Sequence, residues 1–403
     1  MFRQRLFLRQ QARPVIGPER GRSDDARGRT MEACDVPPRW RLAAKEGVGP
    51  VNRHALAVIP GDGIGQETVP EALTVADRVG EISGRFHLER RELDWSCAYY
   101  LQHGRMMPED GLEILRDHEA IFLGAVGYPP VPDHVSLWGL LLPIRRGFDQ
   151  YVNLRPVKIL KGVESPLRGY QAGDIDFMVI RENTEGEYSN IGGRLRPDTP
   201  EEVVVQNSVF TRMGTERVMR HAFEMARARR GKLTAATKSN GLNYSMPFWD
   251  QVFREVGRDF PDVEQELFHV DALASYFVTR PDRFDVVVAS NLFGDILTDL
   301  GGAIQGGLGL AAAANINPER RYPSMFEPVH GSAPDIAGKG IANPVAQLWT
   351  AKLMLEHLGY PEEGGWIMEA VEATLQAQVK TPDLGGTATT GEFVNEVLRR
   401  LPV

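Results

Sequence analysis

From His54 onward, short runs rich in β-branched residues alternate with longer stretches whose apolar residues return every three or four positions. ALAVIP, AIFLGAVG, IDFMVIRE, LTAATKS and FDVVVASN carry no polar alternation, so each reads as a strand covered on both faces. PEALTVADRVGE, TERVMRHAFEMARARRG and PFWDQVFREVGRDF have the one-sided spacing of helices that cover such strands. The alternation therefore predicts an α/β fold, with helices packed on a sheet. One segment departs from it. Between Glu187 and Arg212, YSNIGGRLRPDTPEEVVVQNSVFTR predicts a β-hairpin projecting from the body, with a turn rich in Pro, Asp and Gly. Such an arm grips a second copy most cheaply.

The chain has 403 residues and is 42% hydrophobic, enough for two domains or one elaborate one. A net charge of −8 argues against a general nucleic-acid binder and leaves room for a local basic pocket. Only Cys34 and Cys97 are present, without CxxC spacing, which excludes a disulfide framework or zinc knuckle and fits a reducing, cytoplasmic compartment. No apolar run approaches the roughly 20 residues that span a bilayer. Residues 1–50 are Arg-rich and without apolar periodicity, and are expected to be a disordered extension or a mis-assigned start, with Met31 as an alternative start. Glu19, Asp24 and Asp25 weaken a transit-peptide reading.

Within NLFGDILTDLG, residues 291–301, two aspartates sit four apart in an otherwise buried helical pattern. On a helix Asp295 and Asp299 share a face, and buried carboxylates need a partner. Asp271, in LFHVDALASYF, is a third candidate. Oxygen donors without His or Cys suit Mg²⁺ or Mn²⁺; helix caps and arginine partners are the alternatives. Arg145, Arg155 and Arg181 also stand in apolar company, and three guanidinium forks in one pocket would specify a dicarboxylate. Each could instead be a structural ion-pair partner, with Glu182 or Asp149 as mates. Lys238 ends a strand-like run, a setting suited to proton transfer or merely to a stem lying on the surface. AVIPGDGIGQE follows a strand, but its glycines fall at 61, 63 and 65, a weak match to GxGxxG whose third position is Gln66. A tight strand-to-helix turn accounts for it equally well.

Taken in order, PGDGIG, NLRP, RENTEGEY, TKSNG, VDA, NLFGDILTDL and FEPVHGSAPDIAGKGIANP resemble the β-decarboxylating 2-hydroxyacid dehydrogenases, the family of isopropylmalate and isocitrate dehydrogenases. Within it, VPDHVSLWG, RRGFDQYVNLRPV and IRENTEGEYS are most similar to the tartrate dehydrogenase/decarboxylases and D-malate dehydrogenases. The resemblance implies an isopropylmalate-dehydrogenase-like two-domain α/β fold with an intersubunit β-arm, and not the usual Rossmann fold. Residues 51–150 and 306–403 would form a larger domain with the NAD-binding loop. Residues 151–305 would form a smaller one with the arm and the metal aspartates.

By the same resemblance, Arg145, Arg155 and Arg181 hold substrate carboxylates. Tyr188 protonates the enol after CO₂ leaves, and Lys238 moves the hydroxyl proton. Asp271, Asp295 and Asp299 bind Mn²⁺ or Mg²⁺. Lys238 and Asp271 come from a neighbouring subunit, so a homodimer is expected. Asn240 meets the nicotinamide, while His330, Gly331, Ser332, Asp335 and Asn343 cradle the rest of the cofactor; Asp335 favours NAD over NADP because it would repel a 2′-phosphate. Potassium is a further candidate cofactor. The implied reaction is hydride transfer from C2 to NAD⁺ followed by loss of the β-carboxylate. SLWGLLLPIRR places Trp138 and Leu141 where relatives select their substrates, and an indole filling that space points to D-malate or tartrate over 3-isopropylmalate; Trp138 packed in the core with the loop pointing elsewhere is the alternative. A catalytically silent regulatory subunit is the reading from another class; the retention of every implied aspartate, the lysine and the tyrosine speaks against it.

Overall fold

The computed structural model describes residues 51–403, so the expectations for residues 1–50, Met31 and Cys34 fall outside the described part. In chain order the strands are β1 (Asn52–Gly61), β2 (Phe86–Glu92), β3 (Ala120–Ala125), β4 (Val152–Lys158), β5 (Asp176–Glu182), β6 (Gly192–Leu195), β7 (Val203–Gln206), β8 (Lys232–Thr237), β9 (Glu264–His269), β10 (Val286–Ala289), β11 (Ala312–Ile316) and β12 (Ser324–Pro328). The helices are α1 (Gly65–Ser83), α2 (Cys97–His103), α3 (Gly111–Arg116), α4 (Asp133–Ser136), α5 (Leu142–Gly147), α6 (Arg212–Ala228), α7 (Ser245–Gly257), α8 (Val270–Thr279), α9 (Asn291–Ile304), α10 (Val345–Leu358), α11 (Pro361–Gln376) and α12 (Thr390–Arg400). A π turn, Leu137–Leu141, joins α4 to α5.

Ten strands form one mixed sheet in the order β2-β1-β3-β12-β11-β4-β5-β10-β8-β9. Its flanks are parallel, and its middle runs antiparallel through β12, β11, β4 and β5. One half of the sheet comes from residues 52–125 and 312–328, the other from residues 152–289. All five strands expected from the sequence are present. Val286 to Ala289 is fully buried because α6 and α9 both lie on β10 and on β5. α1 packs with α10, α11 and α12, while Phe223 of α6 stacks on Phe253 of α7 at 5.3 Å. The projecting segment is the expected hairpin, with β6 antiparallel to β7 in a two-stranded sheet of its own. Val203, Val204 and Val205 on it are exposed. No described helix is long and apolar enough to cross a membrane.

Two glycines show how the sequence shapes the site. Gly63 lies in the turn between β1 and α1 at φ +54, and a Cβ there would fall 2.0 Å from the carbonyl oxygen of Ser332. Ile64 N–H donates to that oxygen at 2.9 Å. The PGDGIG turn is therefore a tight strand-to-helix turn that seats the HGSAP loop. Gly294 of α9 meets the Arg181 side chain, whose Cβ would lie 2.7 Å from an added methyl. Absence of a side chain lets the arginine lie flat on the helix.

Candidate active site

The end of α5, β4, the end of β5, the middle of α9 and the end of β12 converge on one polar network. Arg145 donates through Nη2 to Glu327 Oε1 at 2.6 Å, with both side chains buried. Glu327 Oε1 also accepts from Asn315 Nδ2 at 2.7 Å, and Asn315 Oδ1 accepts from Asn153 Nδ2 at 2.7 Å. Asn153 Oδ1 then takes Arg155 Nε at 2.7 Å. Arg155 Nη1 reaches Thr298 Oγ1 at 2.6 Å and Asp295 Oδ1 at 3.2 Å. Arg181 clasps Asn291 Oδ1 through Nε and Nη2, at 3.0 and 2.7 Å, and donates through Nη1 to Asp295 Oδ1. Tyr188 O–H donates to Asp295 Oδ2 at 2.8 Å, and its ring lies 5.3 Å from the Arg181 guanidinium.

The three arginines thus gather around two carboxylates, but not the two anticipated as mates. Glu327 and Asp295 take those places. Asp149 pairs instead with Arg217 at 2.7 Å. Glu182 accepts from the backbone N–H of Thr184 and Glu185, at 2.8 and 3.0 Å; burial still pushes its carboxyl up to about 7. Glu327, Asn315, Asn291 and Thr298 join the site without being among the residues expected from the sequence. For Glu327 the signal was present: a lone carboxylate in the apolar run SMFEP, the same feature that singled out Asp295.

The electrostatics follow from burial. It lowers the Arg181 guanidinium to about 10, with the neighbouring Arg155 charge adding to the shift, so Arg181 remains cationic at neutral pH. Burial raises the Asp295 carboxyl, yet Arg181 and Arg155 outweigh it and leave Asp295 below the usual carboxylate range. Asp299, one helical turn further and exposed, is held above that range by desolvation and by the charge of Asp295. Desolvation and the Asp295 carboxylate also raise the Tyr188 phenol.

Lys238 and Asp271 stand apart from this network. Lys238 Nζ pairs with Asp271 Oδ1 at 2.7 Å, and Asp271 is largely exposed at the start of α8. Among the described residues no hydrogen bond or ion pair joins either to Asp295 or Asp299, and no three acidic, His or Cys side chains of one chain are grouped to hold a metal. Asn240 is exposed in the turn after β8.

Two cofactor-loop residues, His330 and Gly331, share a cavity with Arg145 and Arg155. A cavity of about 160 Å³ is lined by Leu137, Leu141, Arg145, Arg155, Glu327 and His330, with Gly331 at its rim. Trp138 is not among its lining residues; the indole lies instead 4.9 Å from the Arg146 guanidinium, a correction to the expectation that it fills this space. Glu67 of α1 accepts from the N–H groups of Gly338 and Gly340, pinning the loop to the first turn of the helix. Asn343 is buried, its Nδ2 on Asp383 at 2.9 Å and its Oδ1 on Val345 N–H at 3.0 Å. Ser332 is buried and Asp335 exposed.

Such a mixed sheet, with an arginine–aspartate cluster beside a glycine-rich loop, defines a dehydrogenase of the isocitrate/isopropylmalate type. The profile of the isocitrate/isopropylmalate dehydrogenase family matches residues 55–397, and the chain belongs to that family. It is 54% identical over 352 residues to a probable tartrate dehydrogenase/decarboxylase of Bacillus subtilis (strain 168), covering 87% of this chain and 99% of the relative. It is 53% identical to the D-malate dehydrogenase [decarboxylating] of Escherichia coli (strain K12), covering 85% and 97%. The crystal structure of isocitrate dehydrogenase from Methylococcus capsulatus superposes with a TM-score of 0.77 at 34% identity, covering 86% of this chain and 99% of that one.

Membership brings a nicotinamide dinucleotide and a divalent metal as general cofactors. The residues fit both. His330 Nε2 and Arg145 Nε are buried beside the cavity without a hydrogen-bond partner, as donors or acceptors for a polar ligand would be. Asp295 and Asp299 offer only oxygen atoms, the donor set of a hard divalent ion.

Proposed function

We propose that the chain is a cytoplasmic, homodimeric enzyme that oxidises D-malate with NAD⁺ to pyruvate and CO₂, and also acts on tartrate. The observation that carries this reading is the shared cavity, in which two buried arginines and the His330–Gly331 segment line one small space. Leu137 and Leu141 close it on the apolar side, leaving a space suited to a four-carbon diacid. The names of the two relatives at 53–54% identity support the same substrates.

In this reading residues 51–150 with 306–403, and residues 151–305, act as two domains with the cleft between them. Arg145, Arg155 and Arg181 hold the substrate carboxylates in bidentate fashion. A dicarboxylate entering the cavity would offer Arg155 a second partner in place of Asp295. Lys238, supplied by a second copy through the exposed end of β8, takes the hydroxyl proton. Tyr188 keeps its proton at neutral pH and delivers it to the carbon from which CO₂ has left. Asp295, Asp299 and Asp271 of the second copy would hold Mn²⁺ or Mg²⁺, which supplies Lewis acidity toward the hydroxyl and carboxylate oxygens. Asn240, His330, Ser332 and Asp335 would orient NAD⁺, and the exposed Asp335 carboxylate would disfavour a 2′-phosphate.

The test is a side-by-side measurement of NADH formation from D-malate, the tartrate stereoisomers and 3-isopropylmalate, with Mn²⁺ and with or without K⁺. D-malate should exceed 3-isopropylmalate in kcat/KM by at least about tenfold, a margin within reach of a pocket's fit. The reverse order would make the chain an isopropylmalate dehydrogenase. Activity on none of these acids would favour the regulatory subunit.

A further inference from the structure

Tyr188 sits in the loop between β5 and the hairpin, outside any strand ladder, so side chains must meet its neighbouring carbonyls. They do so from two sides. Gln206 Nε2, on the hairpin strand β7, donates to Ser189 O at 2.8 Å and to Glu187 O at 3.4 Å. Arg146 Nη2, on α5, donates to Tyr188 O. No other hydrogen bond reaches the Tyr188 carbonyl among the described residues.

Arg146 is an unusual residue for so plain a task. It is half-buried, and among the described residues it has no carboxylate within ion-pair distance. Its guanidinium lies instead 4.9 Å from the Trp138 ring centroid, in the π turn that precedes α5. Desolvation lowers its pKa, partly opposed by the charge of Glu182. Taking a cation out of water without a carboxylate partner costs free energy, which the indole face and the Tyr188 carbonyl partly offset. A planar guanidinium can stack on the indole and donate at its edge at once, which a lysine ammonium cannot reproduce.

The geometry points to Arg146, clamped by Trp138, as a positioning residue that holds Tyr188 in register with Asp295. The adjacent Arg145 lines the substrate cavity, so α5 carries a carboxylate-binding arginine and the tether of the tyrosine on consecutive residues. Substrate grip and proton donor are thereby fixed to one short helix. This inference rests on the assignment of Tyr188 as the proton donor. It assigns Trp138 a role through Arg146, in place of direct contact with substrate.

The test is a double-mutant cycle with Y188F, read in the full-length protein with D-malate, NAD⁺ and Mn²⁺. R146M should lower kcat about 30-fold while leaving KM within roughly threefold, because it acts on the proton donor and not on substrate binding. In the Y188F background R146M should cause no further loss, and W138A should follow the same pattern more weakly. R146K, which keeps the charge, should recover less than half of the lost activity. Deuterium exchange on the protein without ligands gives a readout independent of turnover: in R146M the amides of Ser189 and Ile191 should exchange faster, and those of β10 should not. Losses that multiply in the double variant, a raised KM with kcat kept, or unchanged exchange at Ser189 and Ile191 would each overturn the inference. If Y188F itself retains full activity, the assignment of Tyr188 fails, which is a different result from failure of the Arg146 tether.

Discussion

Tyr188 and Asp295 share a hydrogen bond of 2.8 Å that joins the loop after β5 to the middle of α9. Asp295 meanwhile takes Arg155 at 3.2 Å, so a proposed proton donor, a proposed metal ligand and a proposed substrate arginine meet at one carboxylate. Removing the phenol oxygen should therefore leave binding intact and slow the chemistry. Tyr188→Phe is expected to lower kcat by about 10²- to 10³-fold, with KM for D-malate within a few-fold. Steady-state NADH formation measures this, and a kcat close to that of the native enzyme would remove Tyr188 from the reaction.

The Arg145–Glu327 pair makes a prediction about stability. Both side chains are buried, and among the described residues Glu327 keeps one hydrogen bond, from the Asn315 amide, when the guanidinium is taken away, with Arg155 the charge still near it. Arg145→Met should destabilise the fold by about 3–5 kcal/mol, because a buried carboxylate loses its ion-pair partner. Arg145→Met with Glu327→Met should regain much of that loss. Denaturant midpoints for the three proteins decide the matter; a single variant as stable as the native chain would mean the pair is screened by solvent.

Acid should weaken the protein through two histidines remote from the cleft. Burial pulls the imidazoles of His221 and His357 down to about 4, below their value in an unfolded chain. Between the two values the unfolded state binds more protons, so stability is complete above about pH 6.5 and falls as the pH drops toward 4. Each group contributes a slope of up to about 1.4 kcal/mol per pH unit. Urea midpoints at pH 7.5 and 5.0 should differ less in a His221→Gln, His357→Gln double variant. An identical pH dependence in that variant would assign the effect to carboxylates.

A site shared between copies can be tested by mixing. If Lys238 of one chain serves Asp299 of another, Lys238→Ala and Asp299→Ala are each inactive alone. Dissociated and reassociated together, they should recover about a quarter of the native rate, since half of randomly paired dimers are mixed and each carries one intact site of two. Continued inactivity after reassociation, checked by mixed-tag capture, would place the whole site within one chain.

Much of this molecule is legible in the text of the chain, and the omissions have physical causes. β1, β3, β5, β8 and β10 are read correctly because strands covered on both faces are continuous apolar runs. β2 escapes because FHLERRE lies at the sheet edge with its charged half in solvent. β4 contains Pro156, a residue that argues against an interior strand, although it pairs with Met178 in the ladder. β11 is AAANI, and alanine carries little strand preference. The arginines and α9 aspartates stood out as costly charges in apolar company. Their partners did not, because Asn315, Asn291 and Thr298 are uncharged, and nothing in the sequence shows that Asn291 and Thr298, neighbours of Asp295 on α9, meet arginines from β5 and β4. Trp138 meets the Arg146 guanidinium from within the π turn at Leu137–Leu141, a contact that residue spacing alone does not reveal.

The most direct measurement follows NADH and CO₂ together from D-malate, with the full-length enzyme, NAD⁺ and Mn²⁺. The proposed function requires equal amounts of the two, with pyruvate as the carbon product, and loss of both when the metal is chelated. NADH without CO₂, or neither product under conditions that keep the protein folded and dimeric, would contradict it.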